Sequence, residues 1–241
     1  MNSSTATPGT LYGIGVGPGA PDLITMRAVS TLRKARVVLA ASSTRNTYST
    51  ALDIARPHLP VDATIVHLAF PMTRDEAILN RAWEENARTA AACLEKGEDA
   101  VFLTLGDPMI YSTFGYLLRT LKALFPHIPV SVIPGVTSFQ AAAAETLTVL
   151  CEGDENFLLL PGIMDDTTLR CNLQLADNAA ILKAYRTLPA IQAALRDADP
   201  AKEALFVSRL GLDGEIIAPV EQAPESPNYL SLILATRKNR V

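Results

Sequence analysis

The sequence predicts an α/β protein of two domains, the first built on a mostly parallel sheet and the second on a mixed sheet. Three observations carry that expectation. Strand-like and helical segments alternate through the first half of the chain, the pattern of parallel strands joined by crossover helices. One strand-like run, Ala100 to Leu105, is apolar without alternation, as suits a strand covered on both faces. After Pro134 the order changes to one helix followed by several strand-like runs. With 241 residues, 49% of them hydrophobic, the chain can fill one large core or two compact ones.

Thr10 to Val16 reads as the first strand. A helix is expected over Asp22 to Lys34, with Leu23, Met26, Val29 and Leu32 roughly one face apart. Arg36 to Ala40 reads as a second strand, Thr50 to Ala55 as a short helix stopped near Pro57, and Thr64 to Leu68 as a third strand. Glu76 to Lys96 predicts a long helix with a buried stripe of Leu79, Trp83, Ala87, Ala90 and Leu94, ended by Gly97. Ala100 to Leu105 is the fourth strand, Thr113 to Leu124 a helix and Pro129 to Ile133 the fifth strand. Thr137 to Glu145 is an alanine-rich helix. The runs Phe157 to Leu160, Ala179 to Ala184, Ala204 to Ser208 and Tyr229 to Ala235 read as strands of the second domain. Turn-prone Gly211 to Gly214 and Pro219, Pro224 and Pro227 precede the last of them. The expected division is a frayed tail over 1–9, one domain over 10–128 and another over 134–241.

Composition narrows the function. The net charge is −4 and no basic block exists, which argues against a nucleic-acid partner. The apolar runs are too short for a transmembrane helix, so no membrane partner is expected. Met1 to Pro8 lacks the basic flank and apolar segment of a signal peptide, and a cytoplasmic location is the default expectation. Cys93, Cys151 and Cys171 are widely separated, so neither a disulfide framework nor a metal site is suggested. His58, His67 and His127 read as structural or exposed.

Three glycine-containing turns follow strands. Gly13 to Gly19 (GIGVGPG) is the first. Glycines there allow positive φ and close approach of a ligand to the backbone. Gly15, Gly17 and Ala20 fit a loose dinucleotide fingerprint. Against that, Pro18 removes an N–H from the loop, and the next strand offers no acidic tip for a ribose. A ligand-free turn between strand and helix is the commoner reading of such a turn taken alone. Leu105 to Thr113 (LGDPMIYST) is the second, where Asp107 can accept hydrogen bonds from a ribose or an ammonium group, or simply serve the turn before Pro108. Ile133 to Phe139 (IPGVTSF) is the third, where Thr137 or Ser138 can act as a helix N-cap.

Taken together, Gly15 to Thr25, Gly106 to Pro108 and Pro134 to Ser138 resemble the motifs of the tetrapyrrole methyltransferase family. The resemblance covers the chain from residue 10 onward. It implies two α/β domains of that type with a ligand cleft between them, and S-adenosylmethionine as methyl donor. Ala69 to Asp75, Gly106 to Phe114, Pro134 to Ala143, Glu152 to Asp154 and Asn228 to Leu232 are similar to the branch that methylates carbon 20 of precorrin-2 or cobalt-factor II in cobalamin biosynthesis. The chain departs from relatives in the loop Ala41 to Thr47, which lacks their proline and lysines, and at Asp177 to Tyr185, where Lys183 is kept and a threonine is not.

The resemblance assigns cofactor contact to Pro18, Leu105, Gly106, Asp107, Ile110, Thr137 and Ser138, and from the second domain to Leu182, Lys183, Ser208 and Leu230. Tyr111, Ser112, Thr113, Arg74 and Arg45 are the expected substrate contacts. Lys183, Arg186 and Arg209 are further candidates to pair with the carboxylates of a reduced tetrapyrrole, because a guanidinium grips a carboxylate in a fork. Methyl transfer from a sulfonium needs alignment of two bound molecules and no covalent nucleophile. That agrees with the lack of a Ser-His-Asp or Cys-His pattern. Tyr111 and Tyr229 are candidate proton acceptors, and no catalytic base is assigned. Any cobalt is expected to travel with the substrate. The family implies a homodimer. Three other readings stay open: methylation at another corrin position or of uroporphyrinogen III, a dinucleotide-dependent oxidoreductase, and a non-catalytic tetrapyrrole carrier.

Overall fold

The structure is a computed structural model that describes residues 7–42, 49–198 and 202–237. The chain divides into two compact units, residues 1–137 and 138–241.

The first unit is a five-stranded parallel sheet. Its elements are β1 (Leu11–Gly15), α1 (Met26–Leu32), β2 (Val37–Ser42), α2 (Thr50–Ala55), β3 (Thr64–Ala69), α3 (Glu76–Leu94), β4 (Ala100–Thr104), α4 (Phe114–Leu124) and β5 (Val130–Ile133). The strand order is β3-β2-β4-β1-β5, and every pairing is parallel. Both faces are covered, so alternate residues of β4 enter different cores. Ala100 and Phe102 pack with Phe114, Leu117 and Leu94. Val101 and Leu103 pack with Ile14, Leu32 and Leu52. This explains why β4 shows no polar alternation.

The helix expected from Asp22 onward is shorter. Pro21–Leu23 forms one 3-10 turn, Ile24 and Thr25 are extended, and α1 begins only at Met26. The Thr25 hydroxyl is the reason: it accepts the N–H of Ala28 at 3.2 Å and caps the new helix. Met26, expected on the buried stripe, is 83% exposed, and Ala28, Val29 and Leu32 take the core instead. In α3 the buried stripe is Ala87, Ala90 and Leu94, joined by Asn86 and Ala91, while Leu79 and Trp83 are half-buried. Asp75 starts this helix by accepting from the N–H groups of Ala77 and Ile78.

The second unit holds α5 (Ser138–Glu145), β6 (Phe157–Pro161), α6 (Asp166–Leu175), β7 (Asn178–Leu182), α7 (Leu188–Ala198), β8 (Lys202–Ser208), β9 (Ile216–Pro219) and β10 (Ser231–Arg237). Its sheet runs β6-β7-β10-β8-β9. β6 and β7 are parallel, and the other three pairings are antiparallel. The expected mixed sheet is therefore present. Helices α6 and α7 and strand β9 add to the elements read from the sequence. One face of the sheet is covered by α6 and α7 through Leu169, Leu173, Ile191 and Leu195. The other meets Ala142 and Ala143 of α5.

Candidate functional site

The strand order of the first sheet contains a switch point. From β1 the chain passes to β2 on one side; from β4 it passes to β5 on the other; and β1 and β4 are neighbours. The bends that follow them leave in opposite directions, and a crevice at such a point is where open α/β sheets bind ligands. All five strands are parallel, so the bends after β1, β4 and β5 emerge from one edge.

Those three bends are knitted together. Val16 N–H donates to the Thr104 carbonyl at 3.0 Å, and Gly106 N–H donates to the Gly17 carbonyl at 2.7 Å, an isolated bridge just beyond the strands. Asp107 ties in the third bend: its carboxylate accepts the N–H of Met109 at 2.8 Å and that of Gly135 at 3.0 Å. A Cβ on Gly15 would lie 2.5 Å from the Gly106 carbonyl oxygen and 2.6 Å from the Gly135 nitrogen. These glycines let backbones touch one another. Gly106 is different. Its φ of +72° favours glycine, yet a Cβ there would meet nothing nearer than the Val136 carbonyl at 4.0 Å. Gly106 is itself buried, yet a gap lies beside its Cα.

The predicted residues of the first unit sit around these bends with distinct surroundings. Pro18 and Thr137 are buried, Leu105, Asp107, Ile110 and Ser138 are half-buried, and Tyr111 is exposed with φ +46°. Ser112 has a structural task. Its hydroxyl accepts the N–H of Phe114 at 3.0 Å and lies 3.3 Å from the Thr104 hydroxyl, while the Thr113 side chain, half-buried, makes no cap bond to α4. Arg74 is exposed on the loop after β3, which leaves from the same sheet edge. Arg45 lies outside the described residues. Gly13, read from the sequence as part of the first bend, belongs to β1. A Cβ there would lie 2.3 Å from the Phe114 ring, so this glycine makes room for a core side chain.

In the second unit, Leu182, Lys183, Ser208 and Leu230 converge at one end of the sheet. β7 and β8 both finish there and β10 starts there, with Leu182 opposite Leu232 and Ser208 opposite Ser231. Arg209 N–H donates to the Leu230 carbonyl at 2.8 Å, and Ala184 N–H to that of Ser231 at 3.3 Å. Lys183 and Arg209 hold φ of +58° and +53°, a conformation that costs a non-glycine residue about 1 kcal/mol or more. Such strain clusters at working sites. The Arg209 guanidinium bonds to the Asp213 carbonyl of its own turn at 2.6 Å.

Two features escaped the sequence reading, and a third joins residues that it named only singly. Gly162, after β6, would place a Cβ 2.8 Å from the Leu182 carbonyl, and its N–H donates to that oxygen at 2.6 Å. The pair Pro161-Gly162 after an apolar run was a readable signal for this bend. Ser231 has a buried hydroxyl that, among the described residues, has no hydrogen-bond partner. Tyr185 meets Tyr229 edge-on at 5.3 Å between ring centroids, and Arg186 lies over the Tyr185 ring at 5.2 Å. Burial pushes the Tyr229 phenol above its ordinary value of 10.0, with the Arg186 charge pulling the other way. Tyr229 is still 47% exposed, so the effect is partly screened. No group of three or more His, Cys, Asp or Glu among the described residues is placed to hold a metal ion.

Residues 10–223 match the model of the Tetrapyrrole (Corrin/Porphyrin) Methylases. The chain belongs to this family. A cobalt-precorrin-2 C(20)-methyltransferase of Salmonella typhimurium is 33% identical over 207 residues, which cover 86% of each chain. A cobalamin biosynthesis protein CobIJ of Mycobacterium tuberculosis is 32% identical over 235 residues, 94% of this chain. The match spans 46% of that longer relative, so this chain covers about half its length. The solved uroporphyrin-III C-methyl transferase of Thermus thermophilus, complexed with S-adenosyl homocysteine, shares the fold of this tetrapyrrole methylase with a TM-score of 0.69. It is 24% identical over 95% of this chain and 92% of that one.

Proposed function

We propose that this chain is an S-adenosylmethionine-dependent C-methyltransferase that methylates carbon 20 of precorrin-2 or cobalt-factor II in cobalamin biosynthesis. The observation that carries the reading is the convergence of three glycine bends at the switch point of the first sheet, with the gap beside Gly106 among them. The carbon-20 assignment is supported by the Salmonella relative and by the segments similar to that branch.

In the first unit we assign cofactor contact to Pro18, Leu105, Gly106, Asp107, Ile110, Thr137 and Ser138, and in the second to Leu182, Lys183, Ser208 and Leu230. The residues fit that group. Gly106 presents backbone with no side chain in the way. Each Asp107 oxygen spends one lone pair on a backbone N–H and keeps another for a hydroxyl or an ammonium. When bound, S-adenosylmethionine supplies a methyl group on a good leaving group. The protein's part is to hold donor and acceptor in line, which can lower the barrier by about 7–11 kcal/mol. Asp107 serves this by keeping two bends in register. Tyr111, Ser112, Thr113, Arg74 and Arg45 are assigned to the tetrapyrrole side, and any cobalt enters with the substrate. The proposal includes a homodimer, which the family resemblance implies, and a cytoplasmic location, the default from composition; sedimentation velocity checks the dimer.

The deciding experiment supplies labelled S-adenosylmethionine with precorrin-2 or cobalt-factor II and locates the label. Label on carbon 20 is expected. Label at another carbon moves the chain to another branch, and no transfer despite binding makes it a carrier. Thermal protection by S-adenosylhomocysteine, and none by NAD(P), separates this reading from an oxidoreductase.

A further inference from the structure

The end of the second sheet carries an aromatic and cationic cluster. Lys183, at positive φ, turns the chain sharply out of β7 and delivers Tyr185 and Arg186 beside the start of β10. Tyr229 precedes β10 by two residues and meets the Tyr185 ring edge-on. Arg186 is exposed and rests over the face of Tyr185. Such a cation–π contact holds the guanidinium without using its N–H donors. Arg88, Arg170 and Arg237 pair with carboxylates, but among the described residues no carboxylate pairs with Arg186. The cluster adjoins Leu182, Lys183 and Leu230 in sequence, the residues assigned above to cofactor contact.

We infer that Tyr185, Arg186 and Tyr229 form a platform that reads the substrate macrocycle, with the rings against its apolar body and Arg186 gripping one of its peripheral carboxylates. The inference rests on the proposed function and names where in the second unit the substrate is recognised. Its physical basis is a match of chemistries. A polycarboxylate macrocycle offers a broad apolar ring edged by anions. The cluster offers apolar edges and a pre-placed fork whose five donors are not tied to an acid. The Tyr229 phenol, protonated at neutral pH like any phenol with an ordinary value of 10.0, can donate a hydrogen bond as well.

The test uses the full chain and uroporphyrin III, a fluorescent tetrapyrrole octacarboxylate, with S-adenosylhomocysteine as the independent ligand. Arg186→Gln is expected to weaken uroporphyrin binding about tenfold, the size of one charge-assisted hydrogen bond. Arg186→Lys should recover part of the loss. Tyr185→Leu should weaken uroporphyrin as well, because it removes the ring that holds the guanidinium. S-adenosylhomocysteine affinity and melting temperature should stay unchanged in the Arg186 variants, and raising salt should shrink the difference between Arg186→Gln and the unsubstituted chain. The inference is overturned if Arg186→Gln binds uroporphyrin as tightly as the unsubstituted chain, if it weakens both ligands equally, or if the unsubstituted chain does not bind uroporphyrin. Failure of the unsubstituted chain to bind S-adenosylhomocysteine would instead strike the proposed function.

Discussion

Gly106 and Gly135 lie on bends whose backbones touch, yet a methyl group would meet very different surroundings at each. At Gly106 the space is open and the obstacle is the backbone angle. Gly106→Ala should therefore cost about 1 kcal/mol in urea unfolding and leave the fold intact. It should still lower S-adenosylhomocysteine affinity, because the methyl group enters the gap. Gly135→Ala would force a Cβ to 2.2 Å from the Gly106 carbonyl oxygen, so its loss of stability should clearly exceed that of Gly106→Ala. Equal losses would show that the two bends are not in contact. Ser231 poses the opposite case. Its hydroxyl is buried without a partner among the described residues, and such a group costs about 1–3 kcal/mol of desolvation. Ser231→Ala should be neutral or stabilising by calorimetry, and a clear drop in melting temperature would mean that the hydroxyl is satisfied. Tyr229 supplies a pH dependence. A phenol whose folded value is raised adds stability that is complete below about pH 10 and fades as pH climbs through the raised value. Tyr229→Phe should remove that alkaline slope from melting temperatures measured between about pH 9 and 11.

At the scale of elements, Asp107 works as a tie between bends. Asp107→Ala leaves the N–H groups of Met109 and Gly135 without their acceptor and should cost about 1–3 kcal/mol. Hydrogen exchange at the Gly135 amide should accelerate selectively, while amides of β1 and β4 stay protected. The sequence could show that Asp107 stands in a turn after a strand, but not that its second partner sits 28 residues away. That contact depends on β1, β4 and β5 lying side by side, which is a property of topology. The same limit explains Gly13, whose role is to admit the Phe114 ring from α4. Local patterns were legible where one rule acted alone. Thr50–Ala55 and the apolar β4 are examples, and Gly97, at φ +83°, ends α3 as its position suggested. They were not legible where two rules competed. Thr25 sits inside a helical period, and its capping hydroxyl outweighs the period. Strand β9 ends in Pro219 and is largely exposed, so it lacks the alternation that marks a half-buried strand. Helices α6 and α7 carried readable periods, Leu169 with Leu173 and Leu188 with Ile191 and Leu195. Strand-like runs on either side drew the reading away from them.

For the whole molecule, topology makes a prediction that no single residue does. All five strands of the first sheet lie between Leu11 and Ile133, and all five of the second between Phe157 and Arg237. A cut between Thr137 and Ser138 therefore breaks no strand ladder, and each piece keeps two apolar clusters of its own. Residues 1–137 contain β4, the central strand of the sheet, and helices for both faces. Residues 138–241 contain β10, which pairs with both β7 and β8. Each piece exceeds the size at which many small domains fold alone. Expressed separately, both should show cooperative thermal unfolding and native-like circular dichroism. Neither alone should retain the S-adenosylhomocysteine affinity of the full chain, because the proposed contacts are divided between them. A first piece that bound the cofactor product as tightly as the full chain would remove Leu182, Lys183, Ser208 and Leu230 from the site. A piece that stayed unfolded would show that the two cores, separate in composition, are not separate in stability.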